Sequence, residues 1–455
     1  MTTPTLRGRR GRDRRIAEAY EAAERAKAAR RGTAAALAPA ARGAGRRLPD
    51  LSALPPLLAA TGSFASLRER LTGERRHVGL TAVPHGAKSY LAAALAMGET
   101  RGSGERLCWV ARDAEIGDRV AEELQAWLGD PDAVAVLEPR TALAYERSEL
   151  VADETAARVA ALSAWRSGRA RVLVASVQAL VQHTIAPSDL PASPRELQIE
   201  GRLRPDELLR DLLDLGYSPV TEVAGRGEFA RRGGIVDVFP PSAPLPARIE
   251  FFGDEIDSLR AFDPTDQRAV GPLDGITLLP ASEFLRRPGA LADELGKKAA
   301  KLPERLAADL GRFEANETTR ALDIGDAAEI WAPLLAPASG FDHVDPGTLL
   351  LLDEPGDIAE AAEFLWRQAD ERRGELVEAG ELPKDWPSTY LPPRDWKGRL
   401  VGSRTLELTW ESVPPEDVAM ARGALSSGDP FGWREPVLPA GRAGRLAEAV
   451  EAWRA

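Results

Sequence analysis

The stretch RGEFARRGGIVDVFPPSAPLPARIEFFGDEIDSLRAFDPTDQR, residues 226–268, carries the strongest structural signal in the chain. Its apolar residues fall into three runs rich in Ile, Val and Phe: Gly234–Phe239, Arg248–Phe252 and Ile256–Phe262. Prolines fill the first connection between these runs, and a Gly-Asp pair fills the second. Short apolar runs separated by such turn residues are typical of antiparallel strands. The stretch therefore predicts a small antiparallel sheet.

Two adjacent arginines mark one turn of this predicted sheet. Arg231 and Arg232 stand just before Gly233 and Gly234, where a tight turn would place both guanidinium groups at the rim. Guanidinium groups in such a place suit the carboxylates of a partner. Alternatively, the two arginines pair with acids of their own segment, namely Glu228, Asp237, Glu250, Asp254, Glu255 and Asp257. Spacing alone leaves both interpretations open.

The same stretch resembles a known domain. GEFARRGGIVDVFP followed by RIEFFGDEIDSLRAFDPTDQR is similar to the second domain of the nucleotide-excision-repair protein UvrB and to the paralogous module at the N-terminus of transcription-repair coupling factors. In both families this domain docks UvrA, and arginines in this loop belong to the docking surface. The resemblance implies UvrA as a partner and Arg231 and Arg232 as docking residues, with Phe229, Glu228 and Arg226 as their neighbours.

Length and composition describe a protein of several ordinary domains. A chain of 455 residues corresponds to about three or four domains, and its 44% hydrophobic content is enough for their cores. No run approaches the roughly 18 apolar residues of a membrane span. The lone cysteine, Cys108, cannot form an internal disulfide, which suits a reducing cytoplasm. We interpret Cys108 as a core residue, because it lies in an apolar run with no histidine near it in sequence.

Charge is divided unevenly along the chain. Residues 1–47 contain thirteen Lys or Arg against four Asp or Glu, a net +9, whereas the whole chain carries −11 and the remainder therefore about −20. The small apolar residues of this basic tail predict a disordered or transiently helical segment. Such an arm would add weak, salt-dependent attraction to nucleic acid. A solvated tail without a partner is the alternative.

A second motif follows an apolar strand, His77–Thr81. The next residues, AVPHGAKS at 82–89, lead into a helix rich in Ala and Leu. Strand, loop, Lys-Ser and helix are the layout of a phosphate-binding P-loop, in which Lys88 and Ser89 would contact phosphate and magnesium. The motif therefore indicates a nucleotide-binding fold.

The glycines that such a loop needs are missing. In the pattern GxxxxGK[ST] the two fixed glycines fall on Ala82 and Ala87, and Pro84 occupies the loop interior. Proline removes one of the backbone N–H groups that would face the phosphates, and alanine disfavours positive φ. Lys88 and Ser89 are thus expected to remain without the loop of backbone N–H groups that binds phosphate.

A third motif is the run TLLLLDEP, residues 348–355, an apolar strand that ends in Asp353 and Glu354. Acids in this place hold magnesium in nucleotide-hydrolysing sites, although any buried strand can end in this way. Lys88, Ser89, Asp353 and Glu354 together indicate a degenerate nucleotide site. We expect no ATPase activity, no catalytic residues, no bound metal and no cofactor for this chain.

Strands and helices alternate between these motifs, which predicts a mostly parallel sheet with helices on both faces. Residues 137–182 also resemble the first domain that the two families share. The expected fold is α/β, with a RecA-like sheet of the degenerate P-loop NTPase type and a small inserted α+β antiparallel domain. Five segments result: 1–47, the basic tail; 48–185, domain 1a; 186–282, the inserted UvrA-binding domain; 283–415, domain 1b; and 416–455, the start of a further domain.

One departure separates the two families. In UvrB a strand ending in Ala-Ser-Val leads into a tyrosine-rich hairpin that clamps DNA, whereas here ASVQALVQHTI, residues 175–185, runs directly to Pro187. The missing hairpin and the altered P-loop favour the coupling-factor module. The resemblance then implies a non-catalytic unit that recruits UvrA to stalled transcription. The alternative is a divergent, UvrB-like, nucleotide-dependent DNA repair enzyme.

The resemblance also implies domains that this sequence lacks. In coupling factors a polymerase-binding domain and an ATP-dependent DNA translocase follow, and these account for RNA polymerase, DNA and Mg-ATP as family partners. We interpret the C-terminal residues as cut inside a domain, which leaves a fragment without the translocase.

Overall fold

The computed structural model describes residues 50–72, 77–98, 104–191, 194–285, 291, 295–314 and 324–410. The predicted basic tail at 1–47 and the predicted further domain at 416–455 lie outside these residues. None of the helices in the described part is long and apolar enough to cross a membrane.

The described residues contain sixteen strands: β1 His77–Leu80, β2 Leu107–Ala111, β3 Val134–Leu137, β4 Val172–Ser176, β5 His183–Thr184, β6 Arg195–Gln198, β7 Ser218–Pro219, β8 Glu228–Arg232, β9 Ile235–Val238, β10 Ala247–Phe252, β11 Glu255–Phe262, β12 Ala269–Pro272, β13 Gly275–Leu278, β14 Ala338–Ser339, β15 Leu349–Asp353 and β16 Arg404–Leu408.

Eleven α-helices lie in the same residues: α1 Pro55–Ala59, α2 Gly62–Thr72, α3 His85–Met97, α4 Ala114–Leu128, α5 Ala152–Arg166, α6 Val177–Val181, α7 Pro205–Asp214, α8 Glu304–Glu314, α9 Ala328–Leu335, α10 Pro355–Glu378 and α11 Pro393–Gly402. Short 3₁₀ turns occur at Pro131–Ala133, Gly296–Lys301, Gly325–Ala327 and Gly340–His343.

A six-stranded sheet with the order β1-β16-β15-β2-β4-β3 forms the larger domain, and its pairings are all parallel. Strand β15 shows why its sequence is continuously apolar. Leu350 and Leu352 pack into one hydrophobic core, and Leu349 and Leu351 pack into another on the opposite face. Strands of a parallel sheet covered on both faces have this composition. The predicted parallel α/β layer is confirmed.

Cys108 on β2 is fully buried in this layer, as predicted for a core residue. Burial raises the pKa of its thiol to about 12. A thiol in this state is not a reactive nucleophile at neutral pH, because the thiolate is the nucleophilic form.

The inserted domain is built on a second sheet, with the order β12-β11-β10-β9-β8-β7. Its pairings are antiparallel except for the short parallel contact of β7 with β8. Helix α7 covers one face, where Leu208 and Leu212 share a core with Val236 and Ile249. The antiparallel sheet is therefore confirmed, but it has six strands where the apolar runs predict three. Strand β8 is charged, and strands β7 and β12 lie at the edges of the sheet. These three strands contain too few apolar residues to be recognised as strands from the sequence.

The chain enters and leaves the inserted domain through the antiparallel pair β6 and β13. After strand β4, Ser176 caps helix α6 by accepting a hydrogen bond from the Ala179 N–H at 3.2 Å. The short strand β5 follows and pairs with β14. Residues 175–185 thus form a mostly buried helix and short strand of the core.

Candidate functional site

Arg231 and Arg232 end strand β8 at the turn into β9. Gly233 in this turn has φ +64°, a conformation that glycine adopts without strain, and the predicted tight turn is confirmed. The Arg231 side chain is 41% exposed and that of Arg232 is 49% exposed. Both guanidinium groups therefore lie at the surface of the inserted domain.

Each of these arginines has an exposed acid beside it. Arg231 forms an ion pair with Asp206 at the start of α7, and its Nε donates to the Gly233 carbonyl at 3.2 Å. Arg232 Nη2 lies 3.5 Å from Glu222 Oε2. Neither acid belongs to residues 226–268. The two arginines therefore do pair within the chain, but with acids outside the stretch in which such pairing was expected. Ion pairs of exposed groups contribute only about 0–1 kcal/mol, so both arginines can exchange partners.

The three neighbours of the arginine pair have structural contacts of their own. Arg226 Nε lies 3.0 Å from Asp153 Oδ1 on α5, and its guanidinium stacks on Phe239 with 4.9 Å to the ring centroid. Glu228 accepts hydrogen bonds from two N–H groups of the preceding loop, at 2.7 and 2.8 Å. Phe229 is only 5% exposed, in the core beneath the sheet. Of the neighbours that the resemblance implies for the docking surface, Phe229 is therefore corrected, because its ring is not accessible to a partner.

A surface residue that the sequence analysis missed lies at the same end of the sheet. Phe252, the last residue of β10, is 83% exposed. Strand β10 reaches the turn between β8 and β9, since the Phe251 N–H donates to the Gly234 carbonyl at 2.9 Å. The alternation of the strand was the available signal: Ile249 and Phe251 face the core, which leaves Phe252 facing outward.

The degenerate nucleotide site has a different geometry. Lys88 on α3 is buried, and its Nζ lies 2.6 Å from Asp353 Oδ1 and 2.5 Å from Glu354 Oε1. The backbone N–H of Trp410 donates to the same Glu354 oxygen at 2.7 Å. Strand β16 lies between β1 and β15, and the elements that follow β1 and β15 meet at the carboxyl edge of the sheet. Three of the four predicted residues are thus brought together.

Ser89 is the fourth predicted residue of that site, and it points elsewhere. Its hydroxyl donates to Glu123 Oε2 on α4 at 2.6 Å and accepts from Trp127 Nε1 at 3.2 Å. Ser89 therefore joins helix α3 to helix α4, and its place within the nucleotide site is corrected.

The loop before α3 keeps one feature of a phosphate-binding loop. Ala82 has φ +57°, the left-handed conformation that alanine was expected to avoid. The Val83 N–H next to it donates to the Thr409 carbonyl at 2.9 Å, and Thr409 N–H donates back to Leu80 at 3.0 Å. Hydrogen bonds to the segment after β16 therefore hold the strained residue, which costs of order 1–3 kcal/mol.

The contacts of Asp353 and Glu354 show whether Mg-ATP fits the site around Lys88. His85, Asp353 and Glu354 offer ligand atoms within 4.8 Å of one another. However, the Lys88 ammonium lies where a cation would bind the two carboxylates. A lysine that neutralises these acids is not available to contact a phosphate. The residues present do not fit magnesium-bound nucleotide.

Comparison with known proteins agrees with this geometry. The family model of the UvrB interaction domain matches residues 196–284, which contain the inserted sheet, α7 and the arginine pair. The transcription-repair-coupling factor of Bacillus subtilis (strain 168) is 32% identical over 279 residues, 56% of this chain and 23% of that protein. The chain is thus similar to transcription-repair coupling factors over part of its length, and its inserted domain matches the UvrB interaction domain.

Two other relatives represent the two families. The transcription-repair-coupling factor of Myxococcus xanthus is 29% identical over 388 residues, 76% of this chain and 30% of that protein. The UvrABC system protein B of Mycobacterium bovis is 29% identical over 264 residues, 53% of this chain and 37% of that protein. The chain spans less than a third of the length of these two coupling factors. The match to UvrB covers 53% of this chain, a smaller share than the 56% and 76% that these two coupling-factor matches cover.

The larger domain also contains a buried charge cluster that the sequence analysis missed. Glu283, on the segment that returns from the inserted domain, accepts from Arg158 Nε at 2.9 Å and from Arg140 Nη1 at 3.2 Å. Arg140 Nε also donates to Glu329 Oε1 at 2.6 Å. All four side chains are at most 1% exposed. The cluster fixes the return segment to the larger domain.

Proposed function

We propose that this chain is a non-catalytic docking module that recruits UvrA to stalled transcription for nucleotide-excision repair. The observation that carries the proposal is the pair of exposed arginines, Arg231 and Arg232, at the turn of the matched domain. Their present partners are exposed carboxylates, so leaving them costs little. Charge pairs that become desolvated at an interface couple by about 1.5–7 kcal/mol, so transfer to acids on UvrA would stabilise the complex.

Titration of purified UvrA against the chain at two salt concentrations tests this proposal. We expect the Arg231→Glu/Arg232→Glu variant to bind at least roughly tenfold more weakly, since losing paired interface charges costs about 2–5 kcal/mol. The control for the single variants Arg231→Glu and Arg232→Glu is Arg268→Glu. Arg268 is 86% exposed and lies at the other end of β11, so this variant should bind UvrA as the parent does. No binding by the parent at either salt concentration would overturn the proposal.

We also propose that the site around Lys88 binds no nucleotide in this chain. Support comes from the Lys88 ammonium, which occupies the cation position between Asp353 and Glu354. Equilibrium binding of ATP with Mg²⁺ is expected to be weaker than about 1 mM. Micromolar binding by the parent chain would instead favour the alternative, a divergent UvrB-like, nucleotide-dependent repair enzyme.

The remaining partners, nucleic acid and RNA polymerase, are proposed for regions outside the matched UvrB interaction domain. The basic tail at 1–47 would give nucleic-acid binding that disappears on its deletion and weakens steeply with salt. RNA polymerase and ATP-driven translocation on DNA belong to other regions of coupling factors. We place the docking function in the cytoplasm, consistent with a chain whose one cysteine is buried as a free thiol.

A further inference from the structure

Residues 408–410, which we call the exit segment, comprise the last residue of strand β16 and the two residues beyond it. They leave the larger sheet between the loop that follows β1 and the end of β15. On the side of the loop, the Thr409 N–H donates to the Leu80 carbonyl at 3.0 Å, and the Val83 N–H donates to the Thr409 carbonyl at 2.9 Å. A phosphate-binding loop turns such N–H groups toward its ligand. Here the exit segment uses the Val83 N–H, which is therefore not available to a phosphate.

On the side of β15, Glu354 holds the exit segment with both its backbone and its side chain. The Glu354 N–H donates to the Leu408 carbonyl at 3.0 Å, and the backbone N–H of Trp410 donates to Glu354 Oε1 at 2.7 Å. The same oxygen accepts from Lys88 Nζ at 2.5 Å. Hydrogen bonds to an ionised carboxylate are stronger than those to a neutral acceptor. Glu354 therefore joins the buried lysine to the exit segment.

The two acids at the end of β15 differ in their partners. Asp353 is buried and pairs with Lys88, whereas the side chain of Glu354 is 26% exposed and also reaches Trp410. Asp353 can thus neutralise the lysine by itself. The second acid is the one that connects the site to the exit segment.

Backbone strain occurs on both sides of the exit segment. Ala82 and Glu354 have φ of +57° and +59°, and they are two of the five non-glycine residues with positive φ in the part of the chain that the structure describes. Ala82 precedes the loop N–H that binds the exit segment, and Glu354 binds that segment itself. Residues in this conformation persist only where their surroundings hold them, and they cluster at functional sites. Contacts with the exit segment are part of what holds both residues.

We propose that the degenerate nucleotide site is an intramolecular anchor for the exit segment, which fixes the point from which the chain continues beyond residue 410. Lys88 orients the Glu354 carboxylate, and this carboxylate holds the Trp410 N–H. The His85 ring stacks on the Trp410 indole, with 5.4 Å between ring centroids and 13° between ring planes. The site is thus occupied by a segment of the chain itself. This anchoring does not require UvrA docking.

Hydrogen exchange of the full chain, measured by mass spectrometry with residue resolution, tests the anchor. We expect Glu354→Ala to accelerate exchange of the Trp410 amide at least about tenfold, because a hydrogen bond to a charged group is lost. Glu354→Gln keeps an acceptor oxygen for this N–H, so its exchange rate should lie between those of the parent and Glu354→Ala. Exchange in the inserted antiparallel sheet should not change in either variant, which verifies that both variants fold.

Two further variants separate the anchor from a general effect of charge. Asp357→Ala is the matched control, because Asp357 lies in the first turn of α10 and pairs with Arg112 at 3.7 Å. Its Trp410 amide should exchange as in the parent. His85→Ala should accelerate exchange by a smaller factor than Glu354→Ala, because it removes the ring stack and leaves the hydrogen bond to Glu354 in place.

Three results would overturn the anchor. If Trp410 exchanges equally in the parent and in Glu354→Ala, the strand pairing of β16 alone holds the exit segment. If Asp357→Ala accelerates exchange as much as Glu354→Ala does, the effect comes from the loss of any nearby acid. If adding Mg-ATP to the parent accelerates exchange of the Trp410 amide, a nucleotide competes with the exit segment and the chain has not replaced it. Loss of UvrA binding would bear on the docking proposal alone.

Discussion

Replacement of Lys88 by methionine is expected to lower the free energy of unfolding by about 3–5 kcal/mol, without any ligand being involved. The Lys88 side chain is 1% exposed, and its ammonium pairs with Asp353 and Glu354. Methionine fills a similar volume but leaves the Asp353 carboxylate buried without a counter-charge. Breaking one partner of a buried ion pair has this large effect because the remaining charge has lost its water.

Urea denaturation of the parent and Lys88→Met measures this effect. Lys397→Met is the matched control, since Lys397 pairs with Glu363 on the surface and its loss should cost no more than about 1 kcal/mol. Adding Asp353→Asn to Lys88→Met should recover part of the loss by removing the uncompensated charge. Equal stability of Lys88→Met and Lys397→Met would contradict a structural role for Lys88. A Lys88 variant is accordingly a poor test of nucleotide binding, because it also changes folding.

The second large effect is expected at Glu283. Glu283→Ala should lower the free energy of unfolding by about 3–5 kcal/mol, because Arg158 and Arg140 would each lose a buried carboxylate partner. Glu371→Ala, on the exposed face of α10, is the control and should lie within about 0.5 kcal/mol of the parent. A small loss at Glu283 would show that the arginines are held by Glu329 and by backbone carbonyls instead.

The same residue predicts a pH dependence. Burial raises the pKa of Glu283, but Arg158 and Arg140 outweigh burial and hold the pKa below its ordinary 4.5. A lowered pKa in the folded chain adds stability that is fully present above the unfolded value and is lost as the pH falls through the folded value. The parent should therefore lose stability below about pH 4.5 more steeply than Glu283→Ala does.

The layers of the fold could be predicted because their signals are local. Alternating apolar strands and helices indicate a parallel sheet, and the run of leucines before Asp353 indicates a strand buried on both faces. The P-loop layout at Lys88 and the two acids that end an apolar strand, Asp353 and Glu354, predicted that these three residues share one site. The direction of Ser89 was not predicted, since a motif match says nothing about which neighbour a hydroxyl contacts once the loop has changed.

The charge cluster could not be predicted, because its four members come from separate segments. Arg158 gave the one local signal, a charged residue on the helix face whose other members, Thr155, Val159 and Leu162, are buried. Phe252 differs, because the alternation of β10 was a usable signal. The bulge places its extra residue, Asp257, on β11 and leaves the inward positions Ile249 and Phe251 of β10 in phase.

The position of β16 inside the larger sheet affects how the chain is completed on the ribosome. His77 on β1 contacts Thr405 on β16, 328 positions later. At about 5–20 residues per second, the ribosome needs about 16 to 66 s to supply the strand that joins β1 to β15. During that time the inserted domain, whose strands are mostly joined by short turns, can fold first. The nascent larger sheet meanwhile exposes unpaired strand edges, so we expect its first half to need protection by chaperones during synthesis.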